Sequence, residues 1–250
     1  SRSTFIGCLP PFEGNHTMCR NLVLVLGDQL DQSSAAFDNF DKDQDVIWMA
    51  EVAEESTHVW THKARIVLFL SAMRHFRDHL LTKGFAVDYH EISEKKKPRE
   101  PISLADALKQ SLHRFKQKGA KPDRLICVEP GEWRVRLALE EAAKKSGIPL
   151  EVRPDRHFFT TVDDFSEHAA GRKQLRLEFF YRPLRERFDV LMDNGEPTGG
   201  QWNYDADNRG SFGKSGPEKI KSPKRFKPDA VTCTVIDLVS KRFQKHPGSL

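Results

Sequence analysis

The sequence runs to 250 residues, room for one large domain or for one domain with an appendage. Its 38% hydrophobic and 30% charged residues imply a modest core beside polar, loosely packed stretches, and a solvated surface accounts for its net charge of +4 before any nucleic-acid role does. Four cysteines without a C-x-x-C pair (Cys8, Cys19, Cys127, Cys233) argue against a disulfide framework or zinc site and fit a reducing cytoplasm, and no apolar run reaches the roughly 18 residues of a membrane span.

Residues 1–20 read as a disordered leader: no signal-peptide core is present, and Met18 is the expected natural start. Residues 22–27 (LVLVLG) form a short apolar run closed by Gly27, the pattern of a buried parallel strand. An Asp- and Ser-rich loop leads to a second strand, DVIWMAEV (45–52). A long helix is predicted from His62 to Lys83, with Ala64, Val67, Leu68, Ser71 and His75 on one face and Gly84 just past its end. FAVDYHEI (85–92) is a third strand. The next helix starts at Ser103 with Asp106 completing a capping-box-like signal, and Leu104, Leu108, Leu112 and Phe115 make its apolar stripe. DRLICVE (123–129), a helix from Glu132 to Ser146 and PLEVR (149–153) follow. Strands thus alternate with helices, which predicts an α/β, Rossmann-like, doubly wound parallel sheet of five strands with helices on both faces, over 21–153. No G-x-G-x-x-G follows the first strand and no Walker A motif is present, which disfavours a standard dinucleotide or P-loop site.

Residues 154–192 are expected to extend this domain with helices, and 193–230, rich in Gly, Pro, Asn and Lys, to be an irregular interdomain linker. The closing amphipathic segment (Val231–Phe243, with Val235, Leu238 and Val239) has little to pack against. Residues 231–250 are therefore expected to open a further domain and to expose an apolar patch that favours self-association.

In an open α/β sheet, ligands bind beyond the carboxyl ends of the strands, so the candidate site lies after strands 1, 2 and 4. Gly27, Asp28, Gln29 and Leu30 form either a ligand-holding loop or a tight turn in which Asp28 caps backbone N–H groups. Glu51, Glu55, His58 and His62 fall on one face of a helical turn; they read as ligand or metal contacts, or as acids favoured by a helix N-terminus. Glu129, Glu132 and Trp133 follow strand 4, where Trp133 either stacks on a ring or docks a neighbouring domain. His75 and His79 read as a solvated pair. Arg172, Lys173, Arg176, Tyr181, Arg182 and Arg185 make a basic, aromatic helix suited to an interdomain seam or to nucleic acid, and the seven Lys/Arg against one acid from Arg209 to Pro228 read as a solvated linker or a DNA tether.

Several segments together resemble the photolyase/cryptochrome-related proteins, specifically the iron–sulfur bacterial (6-4) photolyase branch: LVLGDQLDQS (24–33), AEVAEESTHVWTHKARIVLFLSAMRHF (50–76), ICVEPGEWRVR (126–136), AAGRKQLRLEFFYRPLR (169–185) and GGQWNYDADNR (199–209). The resemblance implies an N-terminal half whose α/β domain holds a light-harvesting antenna of the 6,7-dimethyl-8-ribityllumazine type. On it, Gly27, Asp28, Gln29, Leu30, Glu51, Glu55 and His58 are the cofactor-binding candidates, with Glu55 the most direct. The same resemblance places FAD, the lesion pocket and a [4Fe–4S] cluster in a helical second half that this chain lacks, so the chain is expected to do no photorepair by itself and to reach DNA through that half or weakly through the 209–228 run. A stand-alone nucleotide- or flavin-binding module and a non-enzymatic DNA-interacting protein are the alternatives.

Overall fold

The computed structural model describes residues 19–206, 209–217 and 219–250; residues 1–18 of the expected leader, with Cys8 and Met18, lie outside the described residues, whereas its last two residues are ordered against the sheet, Cys19 buried and Arg20 donating to Asp45. The chain divides into two units, one comprising the chain up to Arg156 together with Pro228–Leu250, the other His157–Lys227.

The first unit is built on five parallel strands, β1 (Asn21–Leu24), β2 (Val46–Ala50), β3 (Val87–His90), β4 (Arg124–Val128) and β5 (Leu150–Arg153), in the order β3-β2-β1-β4-β5. Its helices are α1 (Ala53–Thr57), α2 (Lys63–Thr82), α3 (Leu104–Gln117), α4 (Trp133–Ser146) and, after the second unit, α7 (Ala230–Arg242). The order reverses at β1, with β2 on one side and β4 on the other. The predicted Rossmann-like architecture is therefore the observed one, and its switch point lies between the loops after β1 and β4.

Strand residues alternate between two cores because side chains on a strand point to opposite faces. Leu22, Leu24, Val46, Trp48, Leu125 and Cys127 pack against α3 and α4, while Val23, Val25, Ile47, Met49, Ile126 and Val128 pack on the other face, against α2 and α7. The buried Trp48 indole donates from Nε1 to Ser111 Oγ at 3.0 Å, so the first core closes without an unpaired indole N–H. The predicted α3 stripe is buried as expected, with Ser103 accepting from the Asp106 N–H. Gly147 ends α4 at φ 63°, a left-handed position that suits glycine.

Two expectations are corrected. The buried face of α2 is Ile66, Val67, Leu70, Ser71, Met73 and Arg74, and Leu68 is 66% exposed. The buried Arg74 breaks the apolar stripe, which is why periodicity alone misplaces the face. The closing segment does have something to pack against. Val235, Leu238, Val239 and Phe243 are buried in the core that α2 shares with the sheet. At roughly 1.5–3 kcal/mol per buried aliphatic or aromatic side chain, this packing outweighs what a 13-residue helix could supply for itself. The apolar patch expected on this helix is thus covered within the chain.

The second unit holds α5 (Val162–Ala169), α6 (Leu177–Phe188) and a two-stranded hairpin of β6 (Met192–Asp193) and β7 (Glu196–Pro197). Thr161 and Asp164 form a capping box at the start of α5. Arg185, 5% exposed, donates to the carbonyls of Val190 and Leu191, and its guanidinium and that of Arg182 each lie 5.3 Å from the Trp202 ring centroid. Two members of the basic, aromatic helix thus hold the QWNYD segment within this unit. The described residues from Arg209 to Lys227 are exposed throughout.

Candidate functional site

A cavity of about 200 Å³ opens at the carboxyl ends of β1, β2 and β4. Three loops and the first turns of α2 form it. Leu26, Val52, Ile66, Met73, Leu104 and Val135 give it an apolar floor; Asp28, Glu55 and Glu132 stand around it; Arg65 and Phe69 come from α2. The volume lies below the roughly 300–1,000 Å³ that encloses a drug-sized ligand, so it would enclose only part of one.

Gly27 sits at the floor for a steric reason. A Cβ built there would lie 2.9 Å from Met73 Sδ, so the glycine makes room for the Met73 side chain. Asp28 reaches solvent, yet surrounding protein raises its carboxyl above the usual aspartate range, with Glu132 and Asp155 pushing the same way. Gln29 is turned away: its Nε2 donates to Glu129 O at 2.9 Å and ties the β1 loop to the β4 loop. Leu30 packs against the core beside α2.

The helical face expected from Glu51 to His62 does not form. α1 has only 5 residues; Glu51 directly follows β2, His58 is the exposed C-cap of α1, and His62 is the N-cap of α2. The strand ahead and the break between the two helices send these side chains in different directions. Glu51 borders the cavity, but its carboxylate is fully buried and accepts four hydrogen bonds: from Arg74 Nε at 2.8 Å and Nη2 at 2.9 Å, from the Tyr89 hydroxyl at 2.6 Å and from the Ile92 N–H at 3.1 Å. Burial pushes this carboxyl up, and those donors, Arg74 foremost, pull it back. Glu51 thus fastens β2 to β3 and α2.

Glu55 is held by Arg134, whose Nη2 donates to its two carboxylate oxygens at 3.0 and 3.1 Å and to Glu132 at 3.0 Å. Burial raises the Glu55 carboxyl, Arg134 lowers it, and Glu132 and Glu54 raise it again. Arg134 Nε is buried with no partner among the described residues. Trp133 is 71% exposed and stands outside the cavity lining. Of the seven sequence candidates, Gly27, Asp28, Glu51 and Glu55 line the cavity, while Gln29, Leu30 and His58 do not. Arg65, Phe69 and Met73 escaped sequence reasoning; their spacing, one α2 turn apart on the side that meets the β1 loop, was the available signal.

Among the described residues, no group of three or more His, Cys, Asp or Glu side chains is placed to hold a metal ion, and no helix is long and apolar enough to cross a membrane.

Comparison with known proteins places this sequence in a family. Over 231 residues, 92% of this chain, the sequence is 39% identical to a (6-4) photolyase of Agrobacterium fabrum strain C58. The chain spans less than half of that relative's length, 43%. A second relative, the uncharacterized protein R852 of Acanthamoeba polyphaga mimivirus, is 22% identical over 149 residues, 58% of this chain and 69% of its own. The family model described as deoxyribodipyrimidine photo-lyase-related protein matches residues 23–250, and the chain belongs to that family.

Proposed function

We propose that the α/β unit is an antenna module, whose cavity binds a chromophore of the 6,7-dimethyl-8-ribityllumazine type and holds it for a flavin-driven (6-4) photolyase. One observation carries this reading: an apolar cavity at the switch point of the sheet is ringed by Asp28, Glu55 and Glu132. A flat, uncharged heterocycle matches the floor, its ring nitrogens and carbonyls match the polar rim, and a ribityl chain can lie outside. Phosphate-bearing flavins and nucleotides match poorly, because Arg134 is already engaged by Glu55 and Glu132, and Arg65 alone of the lining residues sets a positive charge against Asp28, Glu55 and Glu132. The polyglutamate tail of a folate antenna meets the same repulsion.

In such a module the protein makes and breaks no bonds. The bound chromophore supplies absorbed light, and the chain's own residues exclude water from the ring and fix its orientation. FAD, the [4Fe–4S] cluster and the DNA lesion are on this reading handled by residues outside this chain, in the cytoplasm. The test is a fluorescence titration of the chain with 6,7-dimethyl-8-ribityllumazine and, in parallel, with FMN. Saturable lumazine binding that Glu55→Ala weakens, with no comparable FMN binding, supports the reading. Equal binding of both, or of neither, sinks it.

A further inference from the structure

The segment that follows α7 returns to the cavity's rim. His246 is 6% exposed, and its ring stacks on Trp60 with centroids 4.5 Å apart and planes at 23°. Its Nδ1 lies 3.0 Å from Thr61 O, so the ring carries a proton there and donates it to that carbonyl. One residue on, Pro247 O accepts the Lys63 N–H at 2.9 Å, at the first residue of α2. Next, Gly248 at φ 88° lies against the His62 imidazole so closely that a Cβ would fall 1.7 Å from its Nε2. His62 cannot simply swing away, since its Nδ1 accepts the Ala64 N–H at 3.0 Å as the cap of α2. Three consecutive residues thus grip the 60–63 stretch, and that stretch runs between Ser56 and Arg65 and contributes Thr61 to the cavity wall. The anchor behind the grip is firm, because Phe243 is buried in the core and packs edge-on to His246 at 5.5 Å.

We propose that His246, Pro247 and Gly248 are positioning residues for the cavity: they clamp the 60–63 loop and so hold Thr61 and Arg65 in the arrangement that receives the ring ligand. The proposal rests on the binding role argued above. A loop tied at both its ends but not between them would sample open and closed rims, and a rim displaced by even about 1 Å loosens a site markedly. The clamp replaces that sampling with one shape.

The experiment uses the full chain and three variants: Gly248→Ala, which drives a methyl group into the His62 ring; Trp60→Leu, which removes the stack at a residue 64% exposed and so spares the core; and Gln244→Ala, an exposed control on the same segment. The readouts are the dissociation constant for 6,7-dimethyl-8-ribityllumazine and amide hydrogen exchange over residues 58–66. The clamp predicts that G248A and W60L each weaken binding about tenfold and speed exchange over 58–66, with β1 and β2 as protected as in the wild type, and that Q244A does neither. Faster exchange with affinity held within about twofold would overturn the positioning role. So would a loss of affinity with exchange unchanged. A wild-type chain that binds no lumazine defeats the binding role instead; the clamp is then judged by exchange, and G248A leaving 58–66 as protected as before overturns it.

Discussion

Replacing Arg74 with Met tests how the floor of the site is held. Arg74 and Glu51 form a two-pronged ion pair whose side chains are 6% and 0% exposed. Met fills similar volume without a charge, so the variant leaves a buried carboxylate with only the Tyr89 hydroxyl and the Ile92 N–H as partners. Removing one member of a buried pair costs about 3–5 kcal/mol, a large fraction of a typical domain's stability. The sign of the pH dependence follows from the same geometry. Burial already raises the Glu51 carboxyl, and losing the Arg74 guanidinium raises it further above its unfolded-state value. A group raised in the folded state contributes its full stability below its unfolded pKa and loses it as pH rises through the folded one. The deficit of R74M relative to the wild type therefore grows from mildly acidic to alkaline pH. The double variant E51L/R74M, with no stranded charge, should recover much of the loss. Urea unfolding followed by circular dichroism at several pH values reads all three quantities. A cost for R74M under about 1 kcal/mol at neutral pH, the size expected of an exposed pair, or a deficit that shrinks as pH rises, would refute the reasoning.

Three further outcomes are expected. Gly27→Ala forces Met73 toward the cavity, costing about 1–3 kcal/mol by overpacking and weakening lumazine binding; the double variant G27A/M73A should regain binding, and failure to do so would place the effect elsewhere. Leu238→Ala should cost about 2–5 kcal/mol in urea unfolding, as for a core residue, whereas a loss near zero would mean that α7 is not seated as described. In the second unit, the Thr161 N–H and hydroxyl, with Arg187, hold the partly exposed Asp164 carboxyl down to about 2. A carboxyl depressed in the folded state supports the fold above its ordinary pKa and loses that support as pH falls toward 2, so α5 should fray over that acidic window. An NMR titration of Asp164 with its midpoint near the ordinary aspartate value would contradict the capping box.

The fold was legible because its signals are local. Apolar runs such as Leu22–Leu26 end in Gly or acid, α3 carries a clean stripe, and Gly closes α4. The place of the cavity was legible too, since strand order and the acid-plus-Gly loops after strands 1 and 4 converge on the switch point. What stayed hidden was pairing at a distance. Nothing near Val235 or Leu238 in sequence shows that α2 has a second apolar face waiting for α7. Glu51 and Glu55, four residues apart, look equivalent in sequence; the start of α1 between them, just past β2, leaves one a buried anchor and makes the other a rim group. The Arg134 link to Glu55 spans 79 positions, and no periodicity reports it.

The measurement that bears most directly on the central claim is the absorption and fluorescence spectrum of the purified chain, followed by release of any bound ligand and its identification by mass spectrometry. The account predicts a lumazine-type chromophore, bound in the purified protein or taken up on soaking, and lost with Glu55→Ala. A folded chain that stays colourless after soaking with lumazine, folate and deazaflavin candidates would contradict it.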